Sequence, residues 1–217
     1  MKPRLQFTFF TLRRIFGLGF WLAFRLKVVG RENLPPAGPF IVIGNHASFL
    51  DPFILSAHCG HPIQWLVTQE FYGKLAVRWL LWWFGTIPVG GGRSMIRSYR
   101  RIAEVLADGG VIGIFPEGGI TRDGNMKEFR SGAAMIAFRM GVPIVPMYIH
   151  GSFEALSRYA KWPKFVPVTV RIGEPIDVVH KTDPVPEEIA ALTARLREAM
   201  GELEAANRAS ASALAVS

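Results

Sequence analysis

Cysteine is almost absent from this chain: Cys59 stands alone among 217 residues. No intramolecular disulfide and no cysteine-based zinc site can be built from it, a composition suited to a reducing compartment. Acidic residues are missing from residues 1–31, while Lys2, Arg4, Arg13, Arg14, Arg25, Lys27 and Arg31 fall there. The longest uncharged run in that region, Ile15 to Phe24, is far shorter than the ~20 apolar residues of a spanning helix. A cleaved signal peptide is not expected either, because Arg25 and Lys27 follow the run without a small-residue cleavage site. There is no internal repeat, no recognised nucleic-acid motif and no Gly-x-Ser-x-Gly elbow.

What is present is positive charge and apolar bulk. The net charge is +8 with a pI near 10.1, which favours an anionic partner. Half the residues are hydrophobic and the mean hydropathy is +0.24. Basic residues that interleave with long apolar runs argue for a membrane surface with anionic lipids rather than nucleic acid. Residues 1–26 read as a basic, aromatic-rich helix, either lying in the membrane interface or packed as a core helix. The interface is favoured, since arginines flank both apolar blocks. Residues 27–206 are expected to form one domain, and the Ala/Ser-rich residues 207–217 a disordered tail.

The chain turns on the stretch Phe40 to Pro52. Phe40-Ile41-Val42-Ile43 is an apolar, β-branched run after a proline break and predicts a buried strand. Gly44, Asn45 and His46 follow where it must stop. Asp51-Pro52 predicts a helix start, with Asp51 as N-cap and Pro52 at the first helical position. On one helix His46 and Asp51 would lie about 140° apart. A loop curling from strand end into helix start can instead join them, so that the carboxylate bonds one imidazole nitrogen and leaves the other as a base. Ser48 between them offers a hydrolase nucleophile, against which the missing elbow counts.

Further strands are predicted at Lys27–Gly30, Ile63–Thr68, Thr86–Val89, Val111–Phe115, Val142–Ile149 and Val168–Ile172. Leu75–Phe84 predicts a helix that is buried or membrane-facing. Gly90-Gly91-Gly92 leads to Arg93, with Ser94 expected to cap a helix running to about Asp108. That run is either an anion cradle or a flexible turn. A helix is predicted from Ser131-Gly132 to Met140 and an amphipathic one from Pro186 to about Ala206. The Val111–Phe115 strand also ends in polar residues, Pro116-Glu117-Gly118-Gly119-Ile120-Thr121-Arg122. Ligands bind outside the carboxyl ends of parallel strands. Glu117 and Arg122 are therefore expected beside His46 and Asp51, in an α/β domain whose mostly parallel central sheet is flanked by helices.

Together these blocks resemble the glycerophospholipid acyltransferases of the lysophosphatidate acyltransferase-like group. The resemblance rests on Asn45-His46-x4-Asp51 and Phe115-Pro116-Glu117-Gly118. Gly85-Thr86-Ile87-Pro88, Phe129-Arg130-Ser131-Gly132 and Val142-Pro143-Ile144-Val145-Pro146 follow in matching order, so it covers roughly residues 27–180. Two departures stand out: Arg93 falls later than the family's arginine, and Gly119-Ile120 displaces Thr121-Arg122.

The resemblance implies acyl transfer from acyl-CoA or acyl-carrier protein, with no further cofactor and no metal, to the free hydroxyl of a lysoglycerophospholipid. The acceptor expected is 1-acylglycerol-3-phosphate or another lysolipid, such as a lysophosphatidylethanolamine-like or lyso-ornithine lipid. His46 would be the base and Asp51 its partner. Arg122, Arg130 and Arg93 would hold phosphate beside Gly118 and Thr121, while Glu117 either binds the acceptor or holds its own loop. A peripheral position on the cytoplasmic face of the inner membrane is expected.

Overall fold

The computed structural model describes residues 17–19, 21–73, 78, 81–82 and 84–216, without the side chains of Arg93 and of residues 211–216. Residues 1–16 and most of the predicted helix Leu75–Phe84 lie outside the described residues.

Seven strands form one sheet: β1 (Lys27–Val29), β2 (Phe40–Gly44), β3 (Ile63–Thr68), β4 (Ile87–Val89), β5 (Val111–Ile114), β6 (Ile144–His150) and β7 (Thr169–Ile172). Their order is β1-β7-β6-β2-β5-β3-β4. Every neighbouring pair is parallel except β6 with β7. Among the described residues the α-helices bounded at both ends are α1 (Asp51–His58), α2 (Arg93–Ala107), α3 (Gly132–Met140), α4 (Ser152–Leu156) and α5 (Pro186–Val216).

Strand side chains alternate between faces, and here both faces are covered, as parallel sheets require. From β2, Ile41 and Ile43 pack with Ile102 and Val105 of α2, Ile136 of α3 and Leu196 of α5. Phe40 and Val42 point the other way, against Ile54 and Leu55 of α1, Val145 and Met147 of β6, and Phe24. Full burial of such a side chain contributes about 1.5–3 kcal/mol, so the central strands β2, β5 and β6 anchor the fold.

Three local expectations are corrected. Asp51 does not cap α1: it is the first helical residue, Leu50 precedes it, and its side chain turns back toward residues 46–48. Ser94 does not cap α2 either. Gly92, at φ 59°, turns the chain so that the helix already starts at Arg93. The expected disordered tail is helical over residues 207–216, because α5 runs on to Val216. Alanine-rich sequence favours helix, and Arg171 of β7 holds this extension by donating to Asn207 Oδ1 and Ser210 Oγ.

Gly113 of β5 carries a packing role. A Cβ there would lie 2.4 Å from the indole of Trp65 and 2.6 Å from Ile63 Cγ2. The missing side chain lets the Trp65 ring lie flat across the sheet. Gly113→Ala should therefore overpack this layer, lowering stability by about 1–3 kcal/mol. Denaturant unfolding checks this, and an unchanged midpoint would show that the layer has slack.

Candidate active site

Strands β2 and β5 are parallel neighbours, with Phe40 opposite Val111 and Ile43 opposite Ile114. Their carboxyl ends therefore deliver residues 45–51 and 115–122 to one edge of the sheet, as ligand sites of open α/β sheets demand. Asn45 fixes where β2 stops. Its side chain donates to the Ile149 carbonyl at 2.9 Å and accepts the Ile149 N–H at 2.7 Å, standing in for a peptide group against β6.

His46 follows, held by its backbone on both sides. Its N–H donates to Glu117 Oε1 at 2.8 Å, and its carbonyl accepts the Thr121 N–H at 2.8 Å. Its Nδ1 lies 3.0 Å from Asp51 Oδ2. The same oxygen accepts the N–H groups of Ala47 and Ser48, each at 2.7 Å. Asp51 is completely buried, a costly place for a carboxylate unless donors surround it. Here two backbone N–H groups, the imidazole and the start of α1 supply that compensation. Nδ1 being taken, Nε2 is the open nitrogen, and His46 lines a cavity of about 380 Å³.

The imidazole is also held by stacking. Its ring lies 4.0 Å from that of Phe115 at 12°, and Phe115 lies 4.5 Å from Trp65 at 9°. Trp65 Nε1 in turn donates to Ser56 Oγ of α1 at 2.9 Å. Three parallel rings thus fix the plane of the histidine while Asp51 fixes its direction. Sequence reasoning missed Trp65, Phe115 and Asn45 as positioning residues. Phe115 and Asn45 sit inside the quoted motifs, whereas Trp65 carried no local signal because its partner is distant in sequence.

Glu117 is buried and spans two loops, accepting the N–H of His46 with Oε1 and that of Lys127 with Oε2 at 3.1 Å. Burial pushes its carboxyl above the usual 4.5, against the pull of those two bonds. Gly118 takes φ 72°, and a Cβ on it would lie 2.6 Å from Arg130 Nε. The Arg130 side chain therefore lies across bare backbone, and both residues line the cavity.

Of the other predicted phosphate ligands, Thr121 is buried with its hydroxyl bonded to Asp123 Oδ1 at 2.9 Å. Arg122 is exposed and does not line the cavity, and Arg93 is the first residue of α2. The Ser48 hydroxyl is buried, donating to the Leu156 carbonyl at 2.7 Å and accepting the Leu50 N–H at 3.1 Å. It is thus engaged in structure rather than poised to attack. Among the described residues, no three His, Cys, Asp or Glu side chains converge as metal ligands would.

Away from His46 and Arg130 the cavity is mostly apolar, walled by Phe53, Leu66, Phe71, Met95 and Ile102 among others, with Thr68, Thr86 and Ser98 as polar exceptions. The site thus combines a carboxylate-oriented histidine, a guanidinium and a slot for apolar chain.

The site therefore lies at the carboxyl edge of a mostly parallel sheet in an α/β domain. The chain belongs to the Acyltransferase family, which matches residues 25–150. It is 26% identical over 192 residues to a 1-acyl-sn-glycerol-3-phosphate acyltransferase of Borreliella burgdorferi, covering 86% of this chain and 76% of that protein. The Bacillus subtilis protein of the same name is 27% identical over 184 residues, with 82% and 88% covered. A relative from Chlamydomonas reinhardtii, also so named, is 29% identical over 164 residues, 74% of this chain. The chain spans about half the length or less of that relative and of one from Brassica napus, at 47% and 44%. In fold it is similar to the crystal structure of the 1-acyl-sn-glycerophosphate acyltransferase PlsC from Thermotoga maritima. The TM-score is 0.75 at 24% identity, covering 95% of this chain and 84% of that one.

Glu117→Gln should set an amide NH₂ against one of two N–H donors. That leaves a buried group unpaired at about 1–3 kcal/mol and loosens the His46 backbone. The upward shift also has a pH signature. The stability linked to the Glu117 proton is present below about pH 4.5 and is lost as pH rises through the raised folded value. The glutamine variant should lack that decline. Wild-type turnover and an unchanged pH–stability curve would contradict the assigned role.

Proposed function

We propose that this protein transfers a fatty acyl chain from an acyl thioester to the free hydroxyl of 1-acylglycerol-3-phosphate. The observation that carries the reading is His46, bound through Nδ1 to buried Asp51 at the mouth of an apolar cavity that also holds Arg130. The name shared by the relatives supports the acceptor. The donor is acyl-CoA or acyl-carrier protein, and no step calls for a further cofactor.

His46 Nε2 takes the proton from the acceptor hydroxyl as its oxygen attacks the thioester carbonyl carbon. The new C–O bond forms, the C–S bond breaks, and the imidazolium returns its proton to the departing thiolate. Asp51 keeps the Nδ1–H tautomer and stabilises the imidazolium. The apolar cavity receives an acyl chain, and Arg130 holds the acceptor phosphate. Arg122 stands farther out in this reading, and the polar groups of Glu117 and Thr121 hold loops. With fewer cations close by, a phosphate diester such as lysophosphatidylethanolamine is the second acceptor to test.

Membrane association accompanies this reading. Leu18, Trp21 and Leu22 are exposed while Phe24 and Leu26 are buried in the core, so the end of the N-terminal segment presents an apolar side outward. Among the described residues no helix is long and apolar enough to cross a membrane. A peripheral seat on anionic lipid, on the cytoplasmic face, fits these features and the basic N-terminal region.

One kinetic series tests the proposal. His46→Ala should reduce acyl transfer by at least ~10²–10⁴-fold while the circular dichroism spectrum stays that of the folded protein. Arg130→Ala should raise the acceptor KM about 10–150-fold, the equivalent of about 1.5–3 kcal/mol for a charge-assisted contact. Donor KM should stay nearly unchanged, and Arg122→Ala should do less. The loss should be larger for the monoester than for the diester acceptor. Near-normal turnover in His46→Ala, or equal small effects of both arginines on every acceptor, would overturn the mechanism.

A further inference from the structure

The segment between α4 and β7 is unusual in composition and placement. It reads Ser157-Arg158-Tyr159-Ala160-Lys161-Trp162-Pro163-Lys164-Phe165, with three cations, three aromatic residues and no carboxylate. Every residue from 158 to 165 is exposed, and Trp162 at 82% is barely touched by the rest of the protein. An indole left in water forgoes a burial of typically 1.5–3 kcal/mol for a large apolar side chain, so its position calls for a partner.

The excursion is anchored at its base. Lys164 N–H donates to the Ala155 carbonyl at 2.7 Å, and Ala160 N–H to the Ser157 carbonyl at 3.1 Å. The loop also adjoins the catalytic one, because Ser48 Oγ donates to the Leu156 carbonyl at 2.7 Å. Phe49, half exposed, stands in that catalytic loop. On its other side Phe165 meets Phe24 at 5.9 Å between ring centroids, while Val168 N–H donates to the Phe24 carbonyl. Exposed Trp21 and Leu22 lie just ahead of Phe24.

We infer that residues 157–165 form a second lipid-contact element, which seats the mouth of the site on an anionic membrane surface together with exposed Leu18, Trp21 and Leu22. Tryptophan and tyrosine favour the headgroup level, where an apolar ring and a polar edge are both satisfied. Lysine and arginine beside them match anionic lipid phosphates, and the absence of carboxylates removes the repulsion that would oppose this. A protein partner would not require cations and aromatics to alternate without acids. The inference rests on the lipid-acylating reading of the site only for its purpose. The loop ties the catalytic loop to the surface from which a lysolipid must be drawn.

The test uses the full chain with phosphatidylcholine vesicles, with and without phosphatidylglycerol. Wild type should sediment with the anionic vesicles. Lys161→Gln and Lys164→Gln should each weaken that binding about fivefold (about 1 kcal/mol). Trp162→Ala should weaken binding to both compositions, and all three variants should keep wild-type turnover on a monodisperse short-chain acceptor. On vesicle-embedded acceptor their KM should rise in step with lost binding. Vesicle binding unchanged by all three substitutions would overturn the inference. So would self-association of the chain, measured by sedimentation velocity, that is abolished by Trp162→Ala, since a second copy would then be the occupant. Vesicle binding needs no turnover, so a wild type that binds through this loop yet acylates nothing would sink the functional reading and leave this one standing.

Discussion

One buried oxygen atom organises the site. Asp51 Oδ2 accepts from the Ala47 and Ser48 backbones and from His46 Nδ1, so three donors converge on a single acceptor in a residue closed off from the surface. A carboxylate there would be prohibitively costly alone. Paired in this way it forces residues 46–48 to wrap around it, and the wrap fixes the imidazole. The five-residue separation between His46 and Asp51 is thus the length of one loop closing on its own anchor. Folding and chemistry share the same bonds, so the histidine cannot be released without opening the turn that joins β2 to α1.

The second strand end completes the arrangement. Because β2 and β5 are adjacent and parallel, the loop after Phe115 can reach the His46 backbone through Glu117 and Thr121. Phe115 itself turns back under the imidazole. Bare backbone makes this layering possible. Gly113 yields its face to Trp65, and Gly118, in the left-handed region, yields its face to Arg130. The guanidinium and the imidazole therefore border one cavity although they come from different loops.

Much of this was legible in the sequence. The β2 and β5 runs are apolar, β-branched, short and bounded by glycine and proline, which marks them as buried strands. That both end in polar motifs implied a shared edge, which the register confirms. The cap of α1 was misread because local rules treat an aspartate before proline as an N-cap, whereas here the carboxylate is claimed by the preceding loop. The ring stack was invisible because Trp65 and Phe115 meet only through β3–β5 pairing. Likewise Arg122 and Arg130 read alike in one dimension and both are exposed, and only the path of the loop lays Arg130 across Gly118 at the cavity. The C-terminal extension of α5 depended on a distant arginine, Arg171, that no local pattern announces.

The central claim is that Asp51 holds His46 with its proton on Nδ1 and its Nε2 free to act as base. Nitrogen-15 NMR of histidine-labelled protein reads this directly, with His46 assigned by comparison to His46→Ala. In the neutral ring the account predicts a protonated Nδ1, with the downfield proton of a carboxylate-bound imidazole, and a bare Nε2. A His46 ring carrying its proton on Nε2, or exchanging freely between tautomers, would contradict it.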